Sequence, residues 1–297
     1  MTTDAAEGDH AAAVACVILT TGDRPDELAA AIASVRAQRD VDVELVVVRN
    51  LDEPAAPPAV EDGVRVVRPG RNLGIPGGRN LGAEASRGRL LLFLDDDAVL
   101  ADDDLLRRAV ERFDADPALG AISMRLVDPA TGRTERRHVP RLRVGDPARS
   151  SRVTTFLGGA SVVRRAAFEE AGDLPARFLY AHEETSLAWR MADRGYRIRY
   201  DADLVVHHPG APPSRHAHYH HLSARNRVLL ARMHLPAPLA VVYVLLWSAL
   251  TLVREPAGWR ASLRGFLDGL RDREVERRPI AWRTVWRLTR AGRPPIL

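Results

Sequence analysis

Three consecutive carboxylates follow an apolar segment in the first half of the chain. Leu90 to Leu94 is apolar throughout, and Asp95, Asp96 and Asp97 come directly after it. Alternation along an extended chain places Asp95 and Asp97 on one side and Asp96 on the other. Adjacent carboxylates repel one another, and a divalent cation with hard oxygen ligands, such as Mg²⁺ or Mn²⁺, offsets that cost. The alternative is a solvated acidic helix start, because Asp102 to Asp104 follow closely.

A second acidic pair, Glu183 and Glu184, precedes a helical segment that contains Trp189 and Arg190. Carboxylates at a helix start are stabilised by the helix dipole, and this capping role is one interpretation. The other is a general base, because burial and a neighbouring acid both raise the pKa of a carboxyl group.

Two histidines, His207 and His208, end an extended segment just before a Pro-Gly turn. A lone histidine there is more often structural, but imidazole also binds Mn²⁺ and other borderline metals. A histidine at a strand end beside an acid cluster is therefore a candidate metal ligand.

The segment from Asn72 to Gly82 is rich in glycine and contains Arg79. Glycines let a ligand approach the backbone closely, and helix N-termini and arginine both attract phosphate. The segment lacks the Gly-Lys-Ser/Thr ending of a P-loop, and no Gly-x-Gly-x-x-Gly follows the first strand. It therefore indicates an anion-binding loop of neither type.

Short apolar strands alternate with helical segments in the first half of the chain. This alternation is typical of an α/β domain with a mostly parallel sheet that is buried on both faces. Strands are predicted at 14–19, 43–48, 64–67 and 89–94, and helices at 26–38, 80–86 and 103–113. Further strands are expected at 121–127 and 154–163, a helix at 185–194, and extended segments at 197–200 and 204–208. Residues 128–151 are expected to be irregular, and the chain to be helical from 224 onward.

Composition excludes several classes of protein. The 297 residues are 46% hydrophobic and 28% charged, which is typical of a globular chain and not of a disordered one. Cys16 is the only cysteine, so disulfides within the chain and cysteine-based zinc sites are excluded. Every basic residue is arginine, and the basic excess lies in the tail while the sharpest motifs are acidic. This distribution argues against a nucleic-acid partner.

The chain is expected to have three parts: a flexible tail at 1–12, a catalytic domain at 13–232 and a helical, membrane-associated or domain-covering region at 233–297. The first residues lack a basic start followed by an apolar core, so a cytoplasmic location is expected.

Residues 235–253 hold 19 positions without a charge, close to the ~20 that span a bilayer. The tail after them has 11 arginines against 5 acids, so a single span violates the positive-inside bias. A segment lying in or re-entering the cytoplasmic face of the membrane is favoured, ahead of a buried soluble helix and then a true span. Trp282, Val285 and Trp286 lie beside arginines at helical spacing, which suits an anionic lipid surface or a helix covering the domain.

In this order the segments closely resemble the family 2 glycosyltransferases of the GT-A fold, most of all the rhamnosyltransferase and galactofuranosyltransferase branch. The resemblance runs from about Val14 to Asn226. It is carried by the loop from Thr20 to Pro25, the Asn72–Gly82 segment, the DxD-like Leu94–Asp97, Gly158-Gly159-Ala160 with Arg164-Arg165, Glu183-Glu184 with Trp189-Arg190 and Gly195–Ile198, and Arg225-Asn226.

The resemblance implies an α/β GT-A fold, with a mostly parallel mixed sheet flanked by helices and a C-terminal helical appendage. It implies that Asp97 and His208 hold Mn²⁺ or Mg²⁺ on a sugar-nucleotide diphosphate, with Asp95 near the ribose or the metal. The family's strand ending selects His208 over His207. Glu184, with Glu183 beside it, matches the catalytic base. The donor-binding positions are Thr20, Arg24, Asn50, Asn72, Arg79, Asp95 and Asp96.

Three positions depart from the family pattern. Arg49 stands where the family often has an aspartate that accepts from a pyrimidine, which leaves the nucleobase open. Residues 171–175 replace the family's Gly-Gly-Phe-Asp-Glu block, which precedes the catalytic base. Ser186 replaces the last acid of the family's Glu-Asp-x-Asp motif, and both changes leave acceptor recognition open.

The resulting expectation is an inverting, metal-dependent transferase that moves a sugar from a dTDP- or UDP-sugar to an acceptor hydroxyl. The acceptor is a glycan, a lipid-linked molecule or a small metabolite. A nucleotidyltransferase that forms sugar nucleotides and a non-catalytic nucleotide-sugar binder are the alternatives. The histidine-rich run from His216 to His221 is interpreted as a loop that closes over the diphosphate, or as a metal tract.

Overall fold

The computed structural model describes residues 12–210 and 218–297. The predicted tail therefore lies outside the described residues except for Ala12, and so does His216 at the start of the histidine-rich run.

Ten strands and nine helices are found in the described part of the chain. The strands are β1 Val14–Thr20, β2 Val43–Arg49, β3 Ala56–Glu61, β4 Val64–Arg68, β5 Leu90–Asp95, β6 Val99–Leu100, β7 Leu119–Val127, β8 Ser151–Val153, β9 Ala160–Arg164 and β10 Arg197–His207. The helices are α1 Pro25–Arg36, α2 Gly74–Glu84, α3 Leu105–Ala115, α4 Arg165–Ala171, α5 Glu183–Asp193, α6 Tyr219–His234, α7 Ala237–Arg254, α8 Trp259–Arg271 and α9 Trp282–Arg290.

The strands form one mixed sheet in the order β3-β4-β2-β1-β5-β9-β7-β10-β6, with β8 paired to β10. β1 runs parallel to β2 and β5, and β10 runs parallel to β7. β9 is antiparallel to both of its neighbours, β5 and β7, so β10 points the same way as β5. The carboxyl ends of β1, β2, β5 and β10 therefore lie along one edge of the sheet, where open α/β sheets bind ligands.

The predicted α/β class with a mixed sheet is confirmed, and hydrophobic clusters bury both faces of the sheet. Antiparallel pairs are more numerous than expected. β3 was not expected because of Pro57 and Pro58, which the sheet tolerates because β3 is an edge strand. The strand expected at 154–163 is confined to β9, because Gly158 and Gly159 pass beside charged side chains before it begins.

Helix α2 begins six residues earlier than predicted, at Gly74 instead of Asn80. Pro76 is the third residue of the helix. A residue in the first turn has no partner within the helix for a backbone N–H, so the missing N–H of proline breaks no hydrogen bond there. The helix lies close to the sheet because it presents glycines to it. A Cβ on Gly82 would lie 3.1 Å from a Val48 methyl group. This close approach brings Arg79 down to the sheet edge.

The C-terminal helices α7 and α8 pack on α6, whereas α9 packs on α5. The predicted domain limit at residue 232 falls inside α6, which continues to His234. α7 buries Ala240 and Tyr243 against the end of α6, and α9 buries Val285 and Leu288 while Trp282 and Trp286 are exposed. In the described residues no single helix is long and apolar enough to cross a bilayer. Only α7 and α8 taken together reach that length and composition, across a bend of 104°.

Candidate active site

A pocket of about 770 Å³ opens at the carboxyl edge of the sheet. Its lining includes every candidate site residue of the sequence analysis: Thr20, Arg24, Asn50, Asn72, Arg79, Asp95, Asp96, Asp97, Glu183, Glu184 and His208. The loops after four strands and the starts of α2 and α5 bring these residues together from positions up to 188 apart in the chain. Their individual roles remain predictions.

Asp95, Asp97 and His208 form a cluster suited to a metal ion. One ligand atom from each lies within 4.8 Å of the others. The His208 Nε2 atom lies 3.1 Å from Asp97 Oδ1 and 3.8 Å from Asp95 Oδ2. Ligands at about 2.1 Å from an octahedral ion lie about 3 Å apart when adjacent and about 4.2 Å apart when opposite. The spacing and the two-carboxylate, one-imidazole donor set therefore fit a divalent metal ion.

Arg24 faces the same acids from the loop before α1. Its guanidinium forms ion pairs with Asp97 and, at 2.8 Å, with Asp96. Burial raises the pKa of Asp96, and the Thr20 hydroxyl and Arg24 oppose that rise. The guanidinium of Arg24, a predicted donor-binding residue, thus lies against the carboxylates of the pocket, and its contact with the donor stays a prediction.

Arg79 connects the two acid clusters of the pocket. It is 4% exposed, and its Nη2 atom lies 2.9 Å from Asp95 Oδ1. Its Nη1 atom lies 3.5 Å from Glu184 Oε1 and 4.0 Å from Glu183 Oε1. A single buried guanidinium thus holds the base candidate and the metal-ligand candidate at fixed positions relative to each other.

Glu183 and Glu184 form a coupled buried pair. Burial, and then the charge of Glu184, raises the pKa of Glu183 to about 8, and burial also raises the pKa of Glu184. Arg79 and the Gly158 amide favour the ionised form of Glu184 and oppose this rise. The Glu184 side chain is more exposed to the pocket than that of Glu183, and it lies closer to the Arg79 guanidinium. Glu184 is therefore better suited than Glu183 to accept a proton from a ligand.

The comparisons with known proteins agree with this geometry. The family model described as Glycosyl transferase family 2 matches residues 16–172, more than half of the chain. The chain belongs to glycosyl transferase family 2.

A curated relative is the succinoglycan biosynthesis protein ExoO of Rhizobium meliloti, 42% identical over 94 residues. The aligned part covers 30% of this chain and 27% of that protein, so the match spans about a quarter of the relative.

Similar solved structures show the GT-A fold. The mannosyltransferase PcManGT from Pyrobaculum calidifontis, in complex with GDP-Man and Mn²⁺, has a TM-score of 0.55 at 18% identity. That match covers 95% of this chain and 80% of the other. GalNAc-T7 with UDP, GalNAc and Mn²⁺ has a TM-score of 0.60 at 16% identity over 88% and 55% of the two chains. This family 2 glycosyltransferase is therefore a GT-A protein, as its sequence pattern predicted.

Two adjacent glycines allow the charged groups of this glycosyltransferase to meet. A Cβ on Gly159 would overlap the Asp95 carboxylate, and a Cβ on Gly158 would overlap the Arg79 guanidinium and the Glu184 carboxylate. The amide of Asp95 also donates to the Gly159 carbonyl at 3.0 Å. The backbone of Gly158 and Gly159 is therefore in close contact with one carboxylate of each acid cluster, and no larger residue would fit at either position.

The loop that leads into α5 is strained. Leu179, Ala181 and His182 have φ angles of 60°, 70° and 70°, a region that non-glycine residues rarely occupy. The loop also packs closely on α2, because a Cβ on Gly74 would lie 2.6 Å from the Leu179 Cα atom. Such strain persists only where surrounding contacts hold it, and here it aims the start of α5 into the pocket.

Asn226 of α6 supplies those contacts. Its side chain is fully buried, and its Nδ2 atom lies 2.9, 2.7 and 3.1 Å from the carbonyl oxygens of Phe178, Tyr180 and Ala181. Its position in the Arg-Asn pair was the sequence signal for this role. The residue lies 42 positions after Glu184, so only the tertiary structure shows which carbonyls it binds.

Asn50 and Asn72 line the pocket, but their amides act within the protein. Asn50 donates to the Asn72 side chain and to the Gly74 carbonyl, both at 3.1 Å, and accepts from the Leu73 amide at 2.8 Å. The NH₂ group and the carbonyl oxygen of the Asn50 side chain are thus both used to hold the turn before α2. The predicted donor-binding role of Asn50 and Asn72 remains a prediction.

Several lining residues were missed because they come from segments that had no clear pattern. Arg137 and His138 lie in the stretch expected to be irregular, and Tyr180 lies in the loop before α5. His218 and Tyr219, which also line the pocket, belong to the histidine-rich run that the sequence analysis had placed over the diphosphate. His138 stacks edge-on against His208 at 6.0 Å between ring centroids. Burial, and then the charge of Arg137, lowers the pKa of His138 to about 4, so its imidazole is neutral at physiological pH.

We expect Gly159→Ala to weaken Mn²⁺ binding at least about tenfold, because the added methyl group displaces the Asp95 carboxylate. Gly158→Ala is the comparison, since its methyl group presses on Arg79 and Glu184 and not directly on a metal-ligand candidate. Titration of both variants with Mn²⁺ in a calorimeter measures the difference. Weaker Mn²⁺ binding by the Gly158 variant than by the Gly159 variant would contradict the assignment.

We expect Asn226→Ala to cost about 1–3 kcal/mol of folding free energy, because three carbonyls lose a buried donor. The kcat of sugar transfer falls more than the donor KM rises, since the strained loop positions the α5 carboxylates. Asn80→Ala is the control, because Asn80 fastens the backbone of Leu174 and not the strained loop. Equal kinetic effects at matched loss of stability would show that Asn226 has only a structural role.

Proposed function

We propose that this family 2 glycosyltransferase is an inverting, metal-dependent enzyme. The observation that carries the proposal is the separation of the pocket into two acid clusters bridged by one arginine. Asp95, Asp97 and His208 suit a metal and diphosphate, while Glu184 suits a proton acceptor, and Arg79 keeps the two at a fixed spacing. Two chemical tasks thus have two sites in one pocket.

In this proposal the donor is a nucleoside-diphosphate sugar. Asp95, Asp97 and His208 would hold a divalent ion, which would stabilise the negative charge on the leaving diphosphate. GDP-Man and UDP are bound in similarly folded transferases, which supports a nucleotide-sugar donor. The proposed donor is a dTDP- or UDP-sugar, as the sequence resemblance implies. Thr20, Arg24, Asp96 and the turn before α2 form the part of the pocket that receives the nucleotide.

Glu184 is the proposed base for the acceptor. The acceptor hydroxyl must lose its proton as its oxygen bonds to the anomeric carbon, and a placed carboxylate accelerates such a step by ~10²–10⁴-fold. The bond to the diphosphate breaks in the same displacement, so the anomeric configuration inverts. Glu183 is not the base in this scheme, because its raised pKa keeps it protonated near pH 7.

The acceptor is proposed to be a growing polysaccharide or a precursor of one. The similarity to a succinoglycan biosynthesis protein supports this class, although the match covers only part of both chains. The proposed donor and acceptor sites distinguish the chain from an enzyme that makes sugar nucleotides, because formation of a sugar nucleotide does not require a base beside an acceptor hydroxyl.

We expect Glu184→Gln to lower kcat by at least ~10²-fold while donor binding is retained, because only proton acceptance is lost. Glu183→Gln is the matched variant. It keeps transfer and leaves the acidic limb of the pH–rate profile close to its wild-type position, because Glu183 is already protonated and uncharged where Glu184 titrates. A product assay across pH measures both, and the opposite pattern would exchange the roles of the two residues.

We expect Asp97→Ala to abolish the Mn²⁺ dependence of nucleoside-diphosphate binding, because the metal loses a ligand. Asp103→Ala is the control, since this exposed acid belongs to the second acidic run and lies outside the pocket. Titration with UDP, dTDP and GDP, each with and without Mn²⁺, measures the effect and shows which nucleobase the protein prefers. Unchanged Mn²⁺ dependence in the Asp97 variant would refute the metal site.

A further inference from the structure

Helix α8 exposes a stripe of large apolar residues. Trp259, Leu263, Leu267 and Leu270 are spaced by four, four and three residues, so they share one side of the helix. Their exposed fractions are 45%, 42%, 38% and 54%. We call these four residues the α8 stripe. Grouped apolar exposure of this kind marks a surface that interacts with another body.

The opposite side of α8 is small and already packed. Ser262, Gly265, Phe266 and Gly269 are buried, and a Cβ on Gly269 would lie 2.7 Å from the Val228 Cβ atom of α6. The two glycines lock α8 against α6 at close range. The helix therefore presents Phe266 and three small residues to the protein and its other large apolar residues to the outside, which is unlike an ordinary soluble amphipathic helix.

Arginines flank the α8 stripe. Arg260, Arg264 and Arg271 each directly follow a stripe residue, and in the described chain no carboxylate forms an ion pair with any of the three. Asp268, the only acid of α8, is paired with His221 at 2.9 Å. Apolar residues interleaved with unneutralised arginines match the boundary between the acyl chains and the headgroups of an anionic bilayer.

The α8 stripe begins close to the pocket. A Cβ on Gly258, at the N-terminus of α8, would overlap the His220 ring in the first turn of α6. The same turn lines the pocket through His218, Tyr219 and Leu222. A surface that binds the α8 stripe therefore lies beside residues that line the pocket.

We propose that the α8 stripe and its arginines dock this glycosyltransferase on a bilayer surface that contains anionic phospholipid, and that the docked enzyme takes a membrane-borne acceptor. The second clause rests on the proposed transferase function, whereas the docking does not. This assigns the surface to α8, whereas the sequence pattern had pointed to residues 235–253 and to α9.

The test is vesicle flotation of the full-length protein. Wild type is expected to float with vesicles of phosphatidylcholine and phosphatidylglycerol, and to float much less with phosphatidylcholine alone or in high salt. The double variant Leu263→Asp/Leu267→Asp is expected to lose binding about tenfold or more, because two apolar contacts become repulsive charges. Val60→Asp is the matched control, since Val60 is 66% exposed on the edge strand β3.

Three outcomes would overturn the docking. The first is no flotation of the wild type, and the second is an equal loss of vesicle binding in the Val60 variant. The third is a wild-type dimer in sizing chromatography that becomes a monomer only in the α8 variant. The last would show that the stripe serves a second copy. Transfer to a soluble acceptor separates this proposal from the catalytic one, because the α8 variant is expected to keep it. Undiminished transfer to a vesicle-borne acceptor by the α8 variant would refute the membrane-borne acceptor.

Discussion

The site depends on the electrostatic balance between five carboxylates and two arginines at one edge of the sheet. Asp95, Asp96 and Asp97 face Glu183 and Glu184 across one pocket, in which Asp96, Asp97 and Glu183 are buried. Without counter-charges their repulsion would disfavour the folded state. Arg79 and Arg24 place guanidinium groups against both clusters, and the raised pKa values of Asp96, Glu183 and Glu184 show that much of the burial cost remains.

This balance requires short distances, and the backbone provides them where side chains are absent. Gly158 and Gly159 leave room for charged groups that a single methyl group would displace, and Gly82 brings α2 and its arginine to the sheet. The left-handed residues before α5 add strain that is held by a buried amide from α6. The residues that bind ligand and the residues that hold the backbone are thus different, and only the first kind carries an obvious chemical signature.

Helix α6 links the pocket to the C-terminal helices. Its first turn lines the pocket, its middle carries Asn226, and one of its faces packs on α8. Helix α8 is therefore packed on the same helix, α6, whose Asn226 holds the loop that positions α5. A division at residue 232 does not coincide with a break in this packing.

The sequence alone predicted the α/β class, the central strands and many of the residues that line the pocket, including Asp95, Asp97 and His208. These three were predictable because an acid or a histidine that directly follows an apolar strand lies at the edge of the sheet. It did not predict the edge strand β3, the early start of α2 or the short β9, where proline and glycine conceal or limit regular structure. Only the tertiary structure decided that Arg79 joins Asp95 to Glu184, that Asn226 holds the strained loop, and that α8 turns its large apolar residues outward. Each of these depends on distances between distant parts of the chain, which residue type and local spacing do not encode.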